Sequence, residues 1–555
     1  MGAAESCCKE ACAPCARPEG PGPWALADTD PEGPDADEGE DSQPVTGLAG
    51  ALSRAAGGSL ACPPSQSNKL CKISRLQNLQ HLEVDKDILR ATPLNTSSQV
   101  FRRLWRKSPL DLTKNECDWL WAQSQPVDYI DTFLSHTWST PGIYKALSLT
   151  IQSGWFFILL SWASVASMFF VLCILDFLPM PFSIHVTVLE FEAPCEFGLW
   201  VVVPSLLAAV LSIFLWPWVP EVLCLKSNKC FLDVVCIHQT DADLQERGIY
   251  GLGGILKVSR ELRVLWSSPY LSRLWCVFEL AAYHSANPQG RTNLMPVHIE
   301  LGVCLGMIGS YVASICFVCT YAMPRASFAS DSLSSASSLS TNVRFFLALF
   351  VGMLPIVFVI HSLRGMFQKH AQMLKDLEHF DAEQASCISD FDRDFIFTGI
   401  KAWFGSTMNF NHYVRTTLRR SLLRKRNPFP ARYSSLIVVG PLSLGLEVFL
   451  GMCKEGAPFK CILTYIGCQM VCANVMWMML SLRLLTLLAE HFFSRSSSRC
   501  MDYAKSLCAW LVFYIFLYVG LLAGAETRKV SEVVAVVWVL IALLIFGLAV
   551  WRDLL

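Results

Sequence analysis

The sequence predicts an α-helical polytopic membrane protein of about eight spans that also carries an α/β domain, a parallel sheet flanked by helices. Three observations lead there. Of 555 residues, 53% are hydrophobic and 16% charged, whereas a soluble chain of this size needs roughly a quarter of its residues charged. Eight stretches are almost free of charge and about twenty residues long, the length that crosses a hydrocarbon core of roughly 30 Å. Outside them, β-branched runs alternate with amphipathic ones, the pattern of parallel strands joined by helices. Lys plus Arg number 45 and Asp plus Glu 46, a formal net charge of −1, so no basic field exists to hold nucleic acid. The 23 cysteines are scattered through apolar stretches and read as small hydrophobes in a reducing compartment, not as a disulfide framework.

Residues 1–98 read as a disordered tail. The first 66 are rich in Pro, Gly, Ala and acidic residues, contain no apolar core of a secretory signal, and include the acidic stretch Asp28 to Asp41. Met1 to Ser6 fits the pattern for myristoylation at Gly2, with Cys7 and Cys8 placed for a second acyl chain. Two other readings stand beside it: a zinc cluster of Cys7, Cys8, Cys12 and Cys15, or cysteines with no special role.

Residues 99–153 open the α/β domain, with a strand over Asp128 to Ser135 and a helix over Ile143 to Ile151. A membrane hairpin, 154–220, follows, with spans at Gly154 to Leu175 and Phe197 to Val219. The central part of the domain, 221–299, has strands at Cys230 to Val235, Glu261 to Trp266 and Asn293 to Ile299, and helices at Ile249 to Ser259 and Ser272 to Tyr283. A second hairpin occupies 300–363, with spans at Leu301 to Met323 and Phe345 to Leu363. Residues 364–434 supply the helical end of the domain (Gln368 to Phe380 and Phe391 to Phe404, assigned by elimination) and a basic linker. The last block, 435–555, holds four spans: Leu436 to Met452, Cys461 to Leu480, Ser506 to Ala525 and Val533 to Val550.

Orientation follows from charge. Segments 221–299 and 364–434 carry eight and twelve Lys and Arg, the latter including Arg415, Arg419, Arg420, Arg424, Lys425 and Arg426, whereas the links 179–196, 324–344, 454–460 and 526–532 carry none, two, two and two. Basic loops stay inside, so both termini and the α/β domain are expected in the cytoplasm.

The soluble pieces resemble a Toll/interleukin-1 receptor (TIR) domain. Asp131-Thr132-Phe133-Leu134-Ser135 is similar to the family's first box, and Phe231-Leu232-Asp233 with Leu244 to Ile249 to its second strand and following loop. Ser259 to Leu280 matches most specifically, echoing the plant-type run of apolar strand, Ser, Tyr, Ser, Arg, Trp, Cys and Glu-Leu; Met295-Pro296-Val297 is similar to the fourth strand. About a quarter of the chain is covered, interrupted by membrane hairpins that the family lacks. The resemblance implies a flavodoxin-like strand order and a signalling or self-association role, with a second copy or another TIR-like domain as partner.

Some TIR domains cleave the nicotinamide–ribose bond of NAD+, and the family's catalytic glutamate corresponds to Glu279. The chemistry needs a carboxylate, because loss of nicotinamide leaves an oxocarbenium-like centre. NAD+ would be a substrate, and no bound cofactor or metal is expected. Trp275, four residues earlier, shares a helix face with Glu279 and is a candidate platform for a flat base, or a core residue like Trp266 if the helix packs inward; Ser135, His136 and Asp233 complete the substrate-binding set, with His238 a weaker candidate. The plain alternative for Glu279 is a solvated carboxylate or a pair with Arg260 or Arg263. No phosphate-binding GK[ST] or GxGxxG loop follows a strand, which removes kinase, ATPase and dehydrogenase readings. In the last block Glu447 lies inside a span. Such a charge is costly, so it either binds a cation or proton for transport, or pairs with Arg483 or a neighbouring serine.

Overall fold

The computed structural model describes residues 86–104, 111–219, 228–267, 269–297, 299–321, 341–387, 390–420, 430–494 and 498–552. Gly2, Cys7, Cys8, Cys12, Cys15, Asp28 to Asp41 and Arg424 to Arg426 lie outside them. The described chain begins with β1 (Arg90–Pro93), α1 (Leu94–Arg103), α2 (Lys114–Ala122), β2 (Gln125–Pro126), β3 (Ile130–His136) and α3 (Gly142–Ile174). A hairpin of β4 (Phe182–Val188) and β5 (Phe191–Phe197) and the short α4 (Val202–Leu215) follow. The chain then forms β6 (Lys229–Phe231), α5 (Asp233–Cys236), α6 (Ala242–Tyr250), α7 (Leu252–Lys257), β7 (Ser259–Trp266), α8 (Leu274–Ala286) and β8 (Arg291–Pro296). The remainder is helical: α9 (Ile299–Tyr321), α10 (Thr341–Met353), α11 (Ile356–Glu378), α12 (Asp390–Phe404), α13 (Thr407–Tyr413), α14 (Ala431–Lys454), α15 (Phe459–His491), α16 (Arg499–Val530) and α17 (Glu532–Trp551).

Six strands make one mixed sheet in the order β2-β1-β6-β3-β7-β8. β6, β3, β7 and β8 are parallel, while β1 runs antiparallel to β6 and to β2. Taken by position in the chain, the parallel strands run second, first, third, fourth, so connections leave β3 and β7 in opposite directions and open a crevice beyond their carboxyl ends. Nearly every residue of β3 is buried, as expected of a central strand covered on both faces. Phe133 and Phe231 stack across it at 4.8 Å, and one continuous core joins Val100 and Phe101 of α1, Phe278 of α8 and Ile396 of α12 to the sheet.

Several boundaries differ from expectation. The tail assigned to 1–98 ends earlier, because Arg90–Pro93 adds an edge strand and Leu94–Arg103 packs on α3, where Ser98 Oγ donates to the Ala146 carbonyl at 3.2 Å. The sheet is therefore mixed, not purely parallel. The second parallel strand stops at Phe231: Asp233 Oδ1 accepts the Val234 N–H at 2.7 Å and turns the chain into α5 despite β-branched Val234 and Val235. The helix expected over Ile249 to Ser259 is two, α6 and α7, meeting at Gly251. The fourth parallel strand is Arg291–Pro296, and Ile299 already begins α9.

Helix α3 is one rod of 33 residues. The first turns, with Ala146 and Leu149, belong to the core of the sheet, while Ile151 and Ile158 belong to the membrane bundle, so the domain's first helix and the first span are continuous. Among the described residues six helices, α3, α9, α14, α15, α16 and α17, are long and apolar enough to cross a membrane. This is consistent with a multi-pass membrane protein. The expected eight is not reached by length alone: α10 and α11 form one apolar pair bent by 48°, and Val202–Trp218 falls short of a span. Apolar residues such as Leu540 and Leu544 of α17 stay exposed, compatible with contact to acyl chains.

Where α9 and α14 cross, a Cβ on Gly440 would stand 3.0 Å from backbone atoms of Ser310 and Tyr311. Small residues at such crossings let backbones approach and gain dispersion contacts. Gly440→Val is expected to force the helices apart and lower the thermal midpoint by several degrees, as read by fluorescence-detected gel filtration after heating. An unchanged midpoint would mean that the crossing contributes little.

Candidate functional site

The carboxyl ends of β3 and β7 carry a network of hydroxyls and one carboxylate. Ser135 is completely buried near the end of β3, and its Oγ donates to Glu279 Oε2 at 2.5 Å and lies 2.5 Å from Tyr270 Oη. The Tyr270 hydroxyl also reaches the Cys276 carbonyl at 3.3 Å. Thr140 Oγ1 donates to Ser267 Oγ at 2.5 Å across the same crevice. Hydroxyl rotors let this chain serve either protonation state of Glu279: Tyr270 to Ser135 to carboxylate when ionised, the reverse when the acid is protonated.

Glu279 sits on α8, whose one flank faces the sheet and whose other meets α12. Burial pushes its carboxyl up to about 8; the Ser135 hydroxyl opposes that rise and the nearby Asp233 charge adds to it. Removal of a carboxylate from water disfavours its ionised form, which accounts for the direction. Glu279 is half-buried and, among the described residues, the two arginines expected as partners go elsewhere: Arg260 Nη1 contacts Asp131 at 2.9 Å and Arg263 Nε contacts Glu261 at 3.0 Å.

A second cluster adjoins the first. Asp233 Oδ2 accepts from Trp138 Nε1 at 3.0 Å, and Asp233 Oδ1 lies 4.0 Å from His136 Nε2. That nitrogen is buried with no hydrogen-bond partner among the described residues. Burial, together with the charge of Lys145, holds the imidazole well below its ordinary value, so it is neutral. Lys145, 1% exposed, donates to the Thr137 carbonyl at 3.0 Å and lies over the rings of Phe101 and Trp138. Cys276 Sγ reaches the His136 carbonyl at 3.4 Å, and burial raises the thiol well above its usual range.

Of the residues singled out by sequence, Ser135, His136, Asp233 and Glu279 thus converge at the strand ends. Trp275 goes elsewhere, its indole 5.5 Å from the Phe278 ring and 6.1 Å from that of Phe395 on α12. His238 holds its own turn, Nδ1 accepting the Asp241 N–H at 3.0 Å, with its ring beside Trp121. Among the described residues no group of three or more His, Cys, Asp or Glu is disposed around a common metal position. Tyr270 and Lys145 were missed. A lone lysine on the apolar face of Ile143 to Ile151 was the available signal for one, and the Tyr within Ser267 to Ser272 for the other.

Glu447 is completely buried, and its carboxylate accepts three backbone N–H groups ahead of α4: Gly198 and Trp200 on Oε1, both at 3.2 Å, and Val201 on Oε2 at 2.8 Å. This replaces the expected pairing with Arg483, which donates to Thr486 Oγ1 at 3.3 Å. A separate hydroxyl node ties α3, α4, α9 and α14 together, with Ser443 Oγ within 3.2 Å of Trp162, Ser205 and Tyr311.

The architecture and site describe a mostly helical chain, consistent with a multi-pass membrane protein, with an α/β unit whose strand ends hold a half-buried acid. No protein-family model matches the sequence, and comparison with curated proteins and with solved structures finds no match.

Proposed function

We propose that the chain displays a TIR-like α/β domain on the cytoplasmic side of a membrane, and that this domain signals by hydrolysing the nicotinamide–ribose bond of NAD+. The observation that carries the reading is the Ser135–Glu279 contact at the switch point of the sheet, where ligands of such folds collect. A carboxyl displaced toward neutrality by its surroundings, at the carboxyl ends of parallel strands, is a functional-site candidate with a physical basis. In the reaction the bond from ribose C1′ to the pyridinium nitrogen breaks and its electron pair leaves with neutral nicotinamide. Ionised Glu279 stabilises the cationic ribosyl centre, and water adds at C1′ with release of a proton, giving ADP-ribose. The cytoplasmic placement is supported by the basic segments 221–299 and 364–434.

The test is nicotinamide release from NAD+ by the full-length protein in nanodiscs. Wild type is expected to release it and Glu279→Gln to release none. Absence of release from wild type overturns the enzymatic reading and leaves a self-association module, which concentration-dependent assembly of the same sample would report.

Because only ionised Glu279 serves the cation, kcat/KM is expected to rise about tenfold per pH unit on the acid side and level off above pH 8. Ser135→Ala removes the hydroxyl that opposes the upward shift, so its profile should be displaced to still higher pH. A profile that stays in place would show that Ser135 does not touch the working carboxylate.

A further inference from the structure

A cavity of about 500 Å³ lies between the β4–β5 hairpin and helices α9, α10, α14, α15 and α16, a size typical of small-molecule sites. Its walls change character along one axis. At the hairpin end stand His185, Glu192, Glu526, Arg528 and Lys529; the other walls include Phe317, Leu349, Met353 and Leu444. Between them, one turn of α15 below Tyr465, Gln469 donates Nε2 to Asn474 Oδ1 at 3.2 Å, while its own Oε1 is buried with no partner among the described residues. The Arg528 guanidinium lies 5.1 Å from the Tyr465 ring, which places a cation at the level just above that amide.

The helices here are irregular where they line the space. Pro441 lies inside α14, where it supplies no backbone N–H, and Asn474 Nδ2 donates to the Pro441 carbonyl at 3.1 Å. The facing stretch Ile466–Trp477 of α15 is π-helical. Irregular backbone at membrane depth is tolerated where it lines a cavity, and π-helical segments cluster at functional sites.

We propose that this cavity binds a single-chain zwitterionic lipid of the lysophospholipid class. The rim offers both charges, with Lys529 paired to Glu526 at 2.8 Å and His185 facing Glu192 at 4.0 Å, which suits a head carrying a phosphate and an ammonium and disfavours a purely anionic one. Below the rim, the unpartnered Gln469 oxygen meets the free glycerol hydroxyl of a lysolipid, a donor that a diacyl lipid lacks. Its volume falls in the range of sites that take one small ligand.

The experiment uses full-length protein in nanodiscs and a palmitoyl lysophosphatidylcholine bearing a photoreactive diazirine near the chain terminus. Saturable labelling of peptides from α9, α10 or α16 is expected, at least tenfold stronger than with the matched fatty acid probe, and uncompeted by glycerophosphocholine. Leu522→Trp and Ala313→Phe, which fill the cavity, should each reduce labelling at least tenfold, whereas Leu540→Trp on the outer face of α17 should not. Non-saturable labelling, equal labelling by the fatty acid, competition by the soluble head group, or label mapped to α17 overturns the proposal. Should the filling variants fail to fold, the position of the label on wild type decides alone.

Discussion

Glu279→Gln is expected to abolish nicotinamide release and, at the same time, to make the protein more stable at neutral pH. The second effect follows from the direction of the carboxyl's displacement. In the unfolded chain Glu279 loses its proton near its ordinary value of 4.5, whereas in the folded domain burial keeps it until about 8. Folding therefore takes up a proton between those limits, and stability falls as pH rises through that window. Each pH unit spent there costs about 1.4 kcal/mol. Glutamine has no proton to lose, and its amide oxygen still accepts from Ser135. At pH 7, about 2.5 pH units above the unfolded value, the gain is at most about 3 kcal/mol, a rise of several degrees in the thermal midpoint. The check is a melting series from pH 5 to pH 8: wild type should lose stability across it, and the difference from the variant should widen. Parallel curves would mean that the carboxylate is not held against its preference, and the enzymatic reading would lose its physical basis even if the domain binds NAD+. A residue whose removal stabilises the fold is one whose presence needs a reason other than folding.

Charge depletion made the long helices legible, because a twenty-residue apolar run has few other uses. The β4–β5 hairpin was not, although Phe182 to Val188 alternates with period two. Its turn runs through Leu189 at φ 51°, so the Gly or Asn that usually announces a hairpin is missing. The conformation is held from outside, since the Leu189 N–H donates to the Arg528 carbonyl at 2.8 Å. Likewise β1 is four residues ending in proline, too short for a periodicity to show. At the site, the convergence of Ser135, His136 and Asp233 on Glu279 follows from strand order and was readable once the strands were placed. For Trp275 two outcomes stayed open, a ring beside the carboxylate or a ring in the core. Spacing of four places two Cβ atoms side by side, but α8 is packed on both flanks, so Glu279 turns to Ser135 while Trp275 turns to Phe395.

Glu447→Ala is expected to have the largest effect on folding of any single change in the membrane block. The carboxylate is the acceptor for three backbone N–H groups of the turn entering α4, and that helix has only fourteen residues to hold itself in place. Each buried donor left without a partner costs about 1–3 kcal/mol, so the loss is several kcal/mol even after partial rearrangement. Glu447→Gln distinguishes the two roles an intramembrane carboxylate can have. Glutamine keeps one acceptor oxygen for Gly198 and Trp200 or for Val201, but turns an amine toward the remainder, so an anchoring role predicts stability between wild type and Ala. A cation or proton site predicts instead that Gln folds as well as wild type and fails only in flux. Protease accessibility of the β4–β5 hairpin, which joins α3 to α4 and should loosen when the turn does, orders the three proteins without any assumption about transport. The order Ala, then Gln, then wild type supports the anchor, and equal protection of Gln and wild type refutes it.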